Sequence, residues 1–143
     1  MKQIIPKYRN KKTIVKGITF DSKLEANVYL KILELQKSYD FKFELQPKYV
    51  LLEKFRFNGK AVREISYVAD FLIYVDNAKE YTEYVIDTKG IETPVFKMKR
   101  KMFQKKFNQD IILIKSVKKF CEWFKEVMNE NDRQRKTYTS HYQ

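Results

Sequence analysis

Apolar residues recur at helical spacing in three stretches of the chain. The first predicted helix runs from Ser22 to about Tyr39, and its apolar face consists of Leu24, Val28, Ile32 and Leu35. The second runs from Pro94 to about Asn108, with Thr93 as its N-cap. The third follows Ser116 and ends near residue 130, before a polar tail over residues 131–143 that is predicted to be flexible.

Between the first two helices the apolar positions alternate with a period of two, which is typical of half-buried strands. With a short buried run before the third helix, the predicted strands cover residues 41–46, continued over 49–52 after a bend at Pro47, and residues 62–75, 84–89 and 111–115. Asn58-Gly59 predicts a tight turn before the long run, and Gly17 predicts one within a hairpin over residues 13–20. Asp70 is expected on the face of the long run opposite Ile65, Tyr67, Ala69, Phe71, Ile73 and Val75.

The order of these elements is helix, three strands, helix, strand and helix. Strands in mid-chain that are flanked by helices predict an α/β domain with a central mixed sheet. Its first strands are expected to pair through short turns, and its last strand to join through a helical crossover. A single domain over residues 17–130 is therefore predicted, because 143 residues are enough to bury a sizeable core.

The chain carries 30 Lys and Arg against 18 Asp and Glu, a formal net charge of +12. Such a balance predicts a polyanionic partner, with nucleic acid as the first candidate. A membrane surface is the weaker candidate, since no apolar stretch approaches the roughly 18 to 20 residues of a spanning helix. The N-terminal residues carry charge but no apolar signal segment, so a cytoplasmic location is expected.

Two segments concentrate the positive charge. Residues 1–16, which include Lys11 and Lys12, contain no acid and are predicted to form a basic arm that binds phosphates. On the second helix, a row with helical spacing faces away from the apolar side and comprises Lys97, Lys101 and Lys105, with Arg100 beside it. Like charges at this spacing repel one another, so bound DNA would explain the row; an ordinary solvated face is the alternative.

Two acids interrupt otherwise apolar strands. Asp70 lies in the long run, and Asp87 shares one face of the next strand with Lys89. Each has a simpler explanation as well: a strand-end aspartate can accept turn bonds, and a lysine before a glycine can extend to solvent.

The available side chains restrict the chemistry. Cys121 is the lone cysteine, which excludes an internal disulfide and Cys-rich zinc sites, and the lone histidine, His141, lies in the polar tail. An enzyme without a usable histidine can hydrolyse a phosphodiester with a divalent cation, and Mg²⁺ prefers carboxylate ligands. Asp70 and Asp87 could supply them, and Lys89 could orient or deprotonate the attacking water.

These residues resemble the PD-(D/E)XK nuclease superfamily, whose core has the order α-β-β-β-α-β. The resemblance rests on Asp70, on Asp87-Thr88-Lys89, and on Glu25 in the preceding helix. Ser22 and Glu25 also form a capping box, which is a structural explanation for that glutamate. Three stretches are further similar to small phage-encoded members of the superfamily, relatives of Holliday junction resolvases and of a nuclease subunit that cuts transposon ends: F-D-S-K-L-E-A at 20–26, L-Q-P-K-Y at 45–49 and R-E-I-S-Y-V-A-D-F at 63–71.

The resemblance implies a restriction-endonuclease-like core and a function for each site residue. Asp70, Asp87 and the backbone carbonyl of Thr88 would bind Mg²⁺, for which Mn²⁺ is expected to substitute. Glu25 would bind through water or hold a second metal, and Lys89 would act on the nucleophilic water. Two departures are that Ala69 replaces the proline of the motif and that Asp87 replaces the commoner glutamate. Neither departure removes an oxygen ligand.

The implied activity is that of a Mg²⁺-dependent DNA endonuclease acting on branched or recombination and replication intermediates of a phage, in the cytoplasm of a bacterial host. A homodimer is expected, because branched substrates are two-fold symmetric. A nickase or exonuclease of different substrate preference, and a non-catalytic DNA-binding accessory protein on the same fold, are alternatives. An RNA-binding module is disfavoured, since the aromatic residues follow core periodicity and leave no exposed stacking platform.

Overall fold

A computed structural model describes residues 11–141 as a mixed α/β protein with a central mixed sheet and three helices. The chain forms two compact units, of which the first ends at Tyr39 and the second begins at Asp40. The α/β class and the mixed sheet are thus as predicted.

The first unit consists of a hairpin followed by a helix. Strands β1 (Thr13–Val15) and β2 (Ile18–Phe20) pair in antiparallel fashion. Lys16 and Gly17 between them both have positive φ, 50° and 78°, as a two-residue hairpin turn requires. The predicted hairpin is therefore confirmed. The predicted basic arm overlaps β1, and residues 1–10 of that arm lie outside the described residues.

Helix α1 (Lys23–Leu35) begins with the predicted cap. The Ser22 side chain accepts the Glu25 backbone N–H at 3.1 Å, and a Glu25 carboxylate oxygen accepts the Asp21 N–H at 3.3 Å. The first bond satisfies one of the donors that a helix N-terminus leaves open, and the second ties the residue before the cap to the first turn of the helix. The Phe20 and Tyr29 rings pack 5.0 Å apart and join the hairpin to the helix.

The second unit contains eight strands and two helices among its described residues. In chain order they are β3 (Lys42–Leu45), β4 (Lys48–Leu52), β5 (Phe55–Phe57), β6 (Lys60–Val62), β7 (Ile65–Val68), β8 (Phe71–Asp76), β9 (Tyr81–Thr88), α2 (Pro94–Phe107), β10 (Ile111–Ile114) and α3 (Val117–His141). Four of the strands form the central sheet in the order β10-β9-β8-β3. The β3, β8 and β9 strands pair antiparallel, whereas β10 runs parallel to β9, as a helical crossover through α2 allows.

The long strand predicted over residues 62–75 is divided into β6, β7 and β8. The pair Lys48 and Val68 continues the register of Leu45 and Phe71, so one antiparallel ribbon runs on from β3–β8 into β4–β7. The ribbon is interrupted between these pairs, where Gln46 adopts a positive φ of 51°. Asp70 lies at this interruption, and its carbonyl accepts the Gln46 N–H at 2.9 Å.

This interruption also changes which residues share a face, so the predicted single apolar face of the long strand is wrong. Tyr67 and Ala69 pack with Leu72 in one buried cluster, although a regular strand would direct Leu72 to the opposite side. Consecutive residues Phe71, Leu72 and Ile73 are all buried. The central strand is therefore covered on both faces, and alternation alone cannot describe it.

Helices α2 and α3 cover opposite faces of the central sheet. Val85 of β9 lies in the cluster that contains Phe96 and Phe103 of α2. The neighbouring Tyr84, which points to the other face, packs its ring 5.3 Å from Trp123 of α3. The Thr93 side chain caps α2 by accepting the Phe96 N–H at 3.1 Å, and Pro94 opens the helix, both as predicted.

Helix α3 continues to His141, so the end predicted near residue 130 is wrong. The polar residues beyond that point contact the turn between β8 and β9. Asn131 is buried and donates to the Asp76 carbonyl at 3.1 Å, and Arg135 donates to the same oxygen at 2.5 Å. These bonds support a helical end that apolar periodicity could not reveal.

Candidate active site

Asp70 and Asp87 lie close together at two neighbouring strands. The register of β8 and β9 ends at the pair Phe71 and Ile86, and Asp70 and Asp87 are the next residues beyond it; the Asp70 carboxylate lies close enough to raise the pKa of Asp87 through a hydrogen bond and its charge. The Asp70 N–H bonds to the Ile86 carbonyl at 3.1 Å, so the Asp70 backbone shares the partner residue of Phe71. Like charges close together on neighbouring strands destabilise a sheet. This pair therefore requires compensation.

Asp70 is held by the residue that follows its partner. One Asp70 carboxylate oxygen, Oδ2, accepts the Thr88 backbone N–H and the Thr88 hydroxyl, each at 2.7 Å. Two short bonds to one oxygen fix the orientation of the carboxylate. From the sequence, only the backbone carbonyl of Thr88 was predicted to belong to the site. In the structure the Thr88 N–H and hydroxyl contact Asp70. The role of the Thr88 carbonyl as a metal ligand stays a prediction.

Asp87 is the more buried acid of the pair, with 3% of its side chain exposed. Burial, followed by the hydrogen bond and charge of Asp70, raises the pKa of Asp87 from 3.8 to about 7. The Tyr67 hydroxyl donates to Asp87 Oδ2 and, with the positive charge of Lys89, acts in the opposite direction. Burial and the Asp87 charge in turn raise the pKa of Tyr67 far above its ordinary value, so the phenol remains a donor.

Lys89 lies beside Asp87, as the shared strand face predicted. Its ammonium nitrogen is 3.4 Å from Asp87 Oδ2 and 4.7 Å from the centre of the Phe96 ring. With 29% of its side chain exposed, Lys89 is directed at the acids and an aromatic face rather than extended to solvent. The structure thus brings together Asp70, Asp87, Thr88 and Lys89.

Glu25, the third predicted acid, belongs to the first unit. It is buried, with 2% of the residue exposed, and its carboxylate takes part in the cap of α1. Its capping role is therefore observed, and its role toward a metal stays a prediction.

The donor set fits a hard divalent cation. Two close carboxylates, one with a raised pKa, present oxygen ligands whose mutual repulsion a cation relieves. Mg²⁺ commonly binds through one or two carboxylates and keeps several of its waters. Within residues 11–141 no group of three or more His, Cys, Asp and Glu side chains is arranged to hold a metal ion. The fit thus concerns the Asp70 and Asp87 pair together with water and backbone oxygens.

The basic residues predicted to bind DNA fall into two groups on α2. Lys97, Lys101 and Lys105 are exposed, and no ion pair in the described part of the chain includes them. Arg100 instead forms a two-pronged bond with Asp110, both contacts at 2.8 Å. This bond lowers the pKa of Asp110 to about 2 and ties α2 to the start of β10. Arg100 thus has a structural partner, while its role toward DNA stays a prediction.

The remaining predicted DNA contacts, Lys11 and Lys12, are exposed residues just before β1. No helix among the described residues combines the length and the apolar character needed to cross a membrane.

Two residues that hold the site, Tyr67 and Phe96, were not predicted from the sequence to belong to it. Strand periodicity marks Tyr67 as core, and both residues do pack in the core cluster. Tyr67 contacts Asp87 because it lies beyond the ribbon interruption, and Phe96 contacts Lys89 because it lies in the first turn of α2 after the cap. A buried tyrosine close in sequence to Asp70 was the one available signal, since a buried phenol needs a partner.

The sequence matches a protein family described as a protein of unknown function, DUF1064, over residues 5–122. The chain belongs to the DUF1064 family. The matched region contains every residue of the candidate site and the whole of α2 and β10, so this DUF1064 chain carries the site within the part that defines its family. Comparison of the chain with curated proteins and with solved structures finds no match.

Proposed function

We propose that this DUF1064 protein is a Mg²⁺-dependent deoxyribonuclease that hydrolyses phosphodiester bonds in branched or recombination and replication intermediates of a phage. The observation that carries the proposal is the close pair Asp70 and Asp87 with Lys89 3.4 Å from Asp87. Two close acids cost stability in the metal-free protein, and a bound cation offsets that cost while it prepares a hydrolytic site.

The topology supports a PD-(D/E)XK-like core. The strand order β10-β9-β8-β3, with antiparallel pairing except for β9 and β10, is what a helix, three strands, a crossover helix and a final strand would form. The acids lie where β8 begins and where β9 ends, next to the crossover into α2. Placement of ligands at strand ends is common because rigid strands fix the side chains there.

Each residue of the site has a chemical task in this proposal. Asp70 and Asp87 hold the Mg²⁺, which supplies charge neutralisation and a more acidic water. Thr88 fixes the carboxylate of Asp70 through two donors, and Tyr67 fixes that of Asp87 and favours its ionised form. Lys89, supported by the Phe96 ring, orients or deprotonates the attacking water or stabilises the developing charge on phosphate.

Cleavage of defined DNA tests the proposal. Purified protein is incubated with linear, nicked, flapped and four-way DNA in Mg²⁺ or Mn²⁺, beside the Asp87→Asn variant, which removes the charge but keeps the shape. Cleavage that requires metal and falls by a factor of about 100 or more in the variant supports the enzyme, because a ligand supplies several kcal/mol of transition-state stabilisation. Absence of cleavage on every substrate with both metals would overturn it.

A second candidate is a DNA-binding accessory protein without turnover. It is favoured by the exposed, unpaired row Lys97, Lys101 and Lys105, which needs no metal to bind phosphates. Binding that weakens steeply with salt and is unchanged in Asp87→Asn, with no cleavage, would identify this function. In either case we propose DNA as the partner and a homodimer as the acting form. The mass of the complex with a four-way junction, measured by light scattering, tests whether two protein copies bind.

A further inference from the structure

The hairpin formed by β5 and β6 is the most exposed apolar feature of the second unit. Every residue from 52 to 61 is exposed, including Phe55 at 45% and Phe57 at 65%. The two strands pair with each other and, among the described strands, with no third one. An isolated hairpin of this kind has no core to support large apolar side chains, so exposed phenylalanines there need another explanation.

The two rings lie on one face of the hairpin. Phe55 pairs with Val62 and Phe57 pairs with Lys60 across the strands, so these four side chains share that face. The turn is Asn58-Gly59, with positive φ at both residues, and places Phe57 at the tip. The expectation that aromatic residues leave no exposed stacking platform is therefore wrong at this hairpin.

The charge of the hairpin is entirely positive. Residues 54–63 contain four basic residues and no acid, namely Lys54, Arg56, Lys60 and Arg63. The acids that flank this segment are already engaged: Glu53 pairs with Lys106 at 3.6 Å and Glu64 with Lys48 at 3.0 Å. Within the described residues no ion pair neutralises any of the four cations.

Exposed aromatic rings among unpaired cations match the chemistry of a nucleic-acid strand with free bases. Cations bind the phosphates, and a ring stacks on a base whose face is not covered by a neighbour. A paired duplex offers phosphates to the cations but no free base face to Phe57, so duplex and unpaired DNA are distinguishable. An apolar protein surface would leave the cations without partners, which disfavours it on charge complementarity.

We propose that the β5–β6 hairpin binds DNA at junctions or forks, where Phe57 stacks on an unpaired base while Lys54, Arg56, Lys60 and Arg63 bind the adjoining phosphates. This assignment deepens the proposed function and rests on it for DNA as the ligand. The hairpin pairs only within itself among the described strands, whereas Asp70 and Asp87 lie at the central sheet. The hairpin thus contributes to the choice of substrate and takes no part in the hydrolysis itself.

Binding in EDTA separates this interaction from cleavage. A labelled fork with unpaired arms and a fully paired duplex of equal nucleotide number are titrated by fluorescence anisotropy with wild type and Phe57→Ala. The variant is expected to bind the fork about 5- to 100-fold more weakly and the duplex within about twofold of wild type, because only the fork provides a free base face. The change in 2-aminopurine fluorescence that reports stacking at the fork is expected with wild type and is expected to be absent with Phe57→Ala.

Two matched variants sharpen the result. Tyr81→Ala removes another aromatic residue, 58% exposed, from the second unit and is expected to leave fork binding unchanged. Lys60→Gln is expected to weaken fork and duplex alike and to reduce the salt slope by about 0.7 to 0.9, whereas Phe57→Ala leaves that slope unchanged. Circular dichroism and thermal melting establish that all three variants are folded.

Equal fork affinity of wild type and Phe57→Ala would overturn the proposal. So would a Phe57→Ala protein that dissociates from dimer to monomer with no loss of fork binding, which would assign the rings to self-association. Tighter Phe57-dependent binding of a single-stranded RNA than of DNA would reassign the surface to RNA. If Phe57-dependent fork binding occurs without Mg²⁺-dependent cleavage, the hairpin assignment stands and the nuclease fails. If cleavage occurs and fork binding is unchanged in Phe57→Ala, the nuclease stands and the hairpin assignment fails.

Discussion

A carboxylate that is almost fully covered ionises with difficulty when a second carboxylate lies opposite it. Asp87 is in this position, and Tyr67 and Lys89 compensate only in part, because its pKa still rises to about 7. Near neutral pH the metal-free site therefore holds a proton on a substantial fraction of molecules. Metal ligation requires the ionised form, so a proton and a cation compete for the same oxygens.

This proton has a predicted effect on stability. The folded protein binds a proton at Asp87 up to about pH 7, whereas the unfolded chain releases it near 3.8. The resulting stabilisation is fully present below the lower pKa and is lost as pH rises through the folded value, on the order of a few kcal/mol. Chemical denaturation in EDTA from pH 4 to 8 measures it, with Asp87→Asn as the control in which this decline is absent. Parallel profiles for the two proteins would contradict the assignment.

A pair of tyrosines provides a matched test of the hydrogen bond to Asp87. The Tyr67 hydroxyl donates to Asp87, whereas the buried Tyr49 hydroxyl has no hydrogen-bond partner among the described residues. At pH 8 in EDTA, Tyr67→Phe is expected to lower the free energy of unfolding by about 1.5 to 3 kcal/mol, since the bond involves a charged acceptor. Tyr49→Phe is expected to leave it unchanged or raise it. Urea denaturation decides, and equal effects would contradict the difference in partners.

At the scale of elements, the sequence predicted those turns, caps and strands that depend on residues close together in the chain. The Asn58-Gly59 and Gly17 turns, the Ser22 and Thr93 caps and the strand that contains Asp87 follow from a few neighbouring residues each. The interruption at Asp70 did not, because it arises from pairing with Gln46, a residue distant in sequence. The apolar alternation simply continues across it. The contacts of Tyr67 and Phe96 with the site were missed for the same reason.

The N-cap of α2 links helix stability to the site. Thr93 caps the turn that contains Phe96, whose ring supports Lys89. Thr93→Ala is expected to lower the free energy of unfolding by about 1 kcal/mol, the usual contribution of such a cap. The control is Thr139→Ala in α3, whose hydroxyl donates to the carbonyl one turn earlier and whose loss is expected to change little. A loss of equal size in both variants, measured by urea denaturation, would contradict a special contribution of the cap.

The exposed lysines of α2 are predicted to bind phosphate as a row. Replacement of Lys97, Lys101 and Lys105 by glutamine is expected to weaken duplex binding and to reduce the slope of log K against log salt by up to about 3. The control removes the same charge from exposed lysines of α3 that form no ion pair with any described residue: Lys118, Lys125 and Lys136. If both triple variants lower affinity and slope equally, general positive charge rather than the α2 row holds the DNA.

At the scale of the whole molecule, the excess of positive charge and the acid pair have opposite effects on charged ligands. A formal charge of +12 attracts DNA and repels metal cations, so a cation is held only where negative charge is concentrated. Asp70 and Asp87 form such a place at the end of the central sheet. Net charge thus predicted the class of partner, but the location of the negative site needed strand register, which composition does not contain.

Metal binding at this pair is therefore predicted to stabilise the folded protein. A ligand at 100 times its dissociation constant adds about 2.7 kcal/mol, which for a protein of this size raises the melting temperature by several degrees. Millimolar Mg²⁺ or Mn²⁺ at pH 8 is expected to give this rise in wild type and little of it in Asp87→Asn, as followed by calorimetry. Sodium chloride at equal ionic strength separates site binding from screening of the net charge. Because the readout requires neither DNA nor turnover, equal rises in wild type and variant would remove the acid pair as the metal site, whatever the DNA assays give.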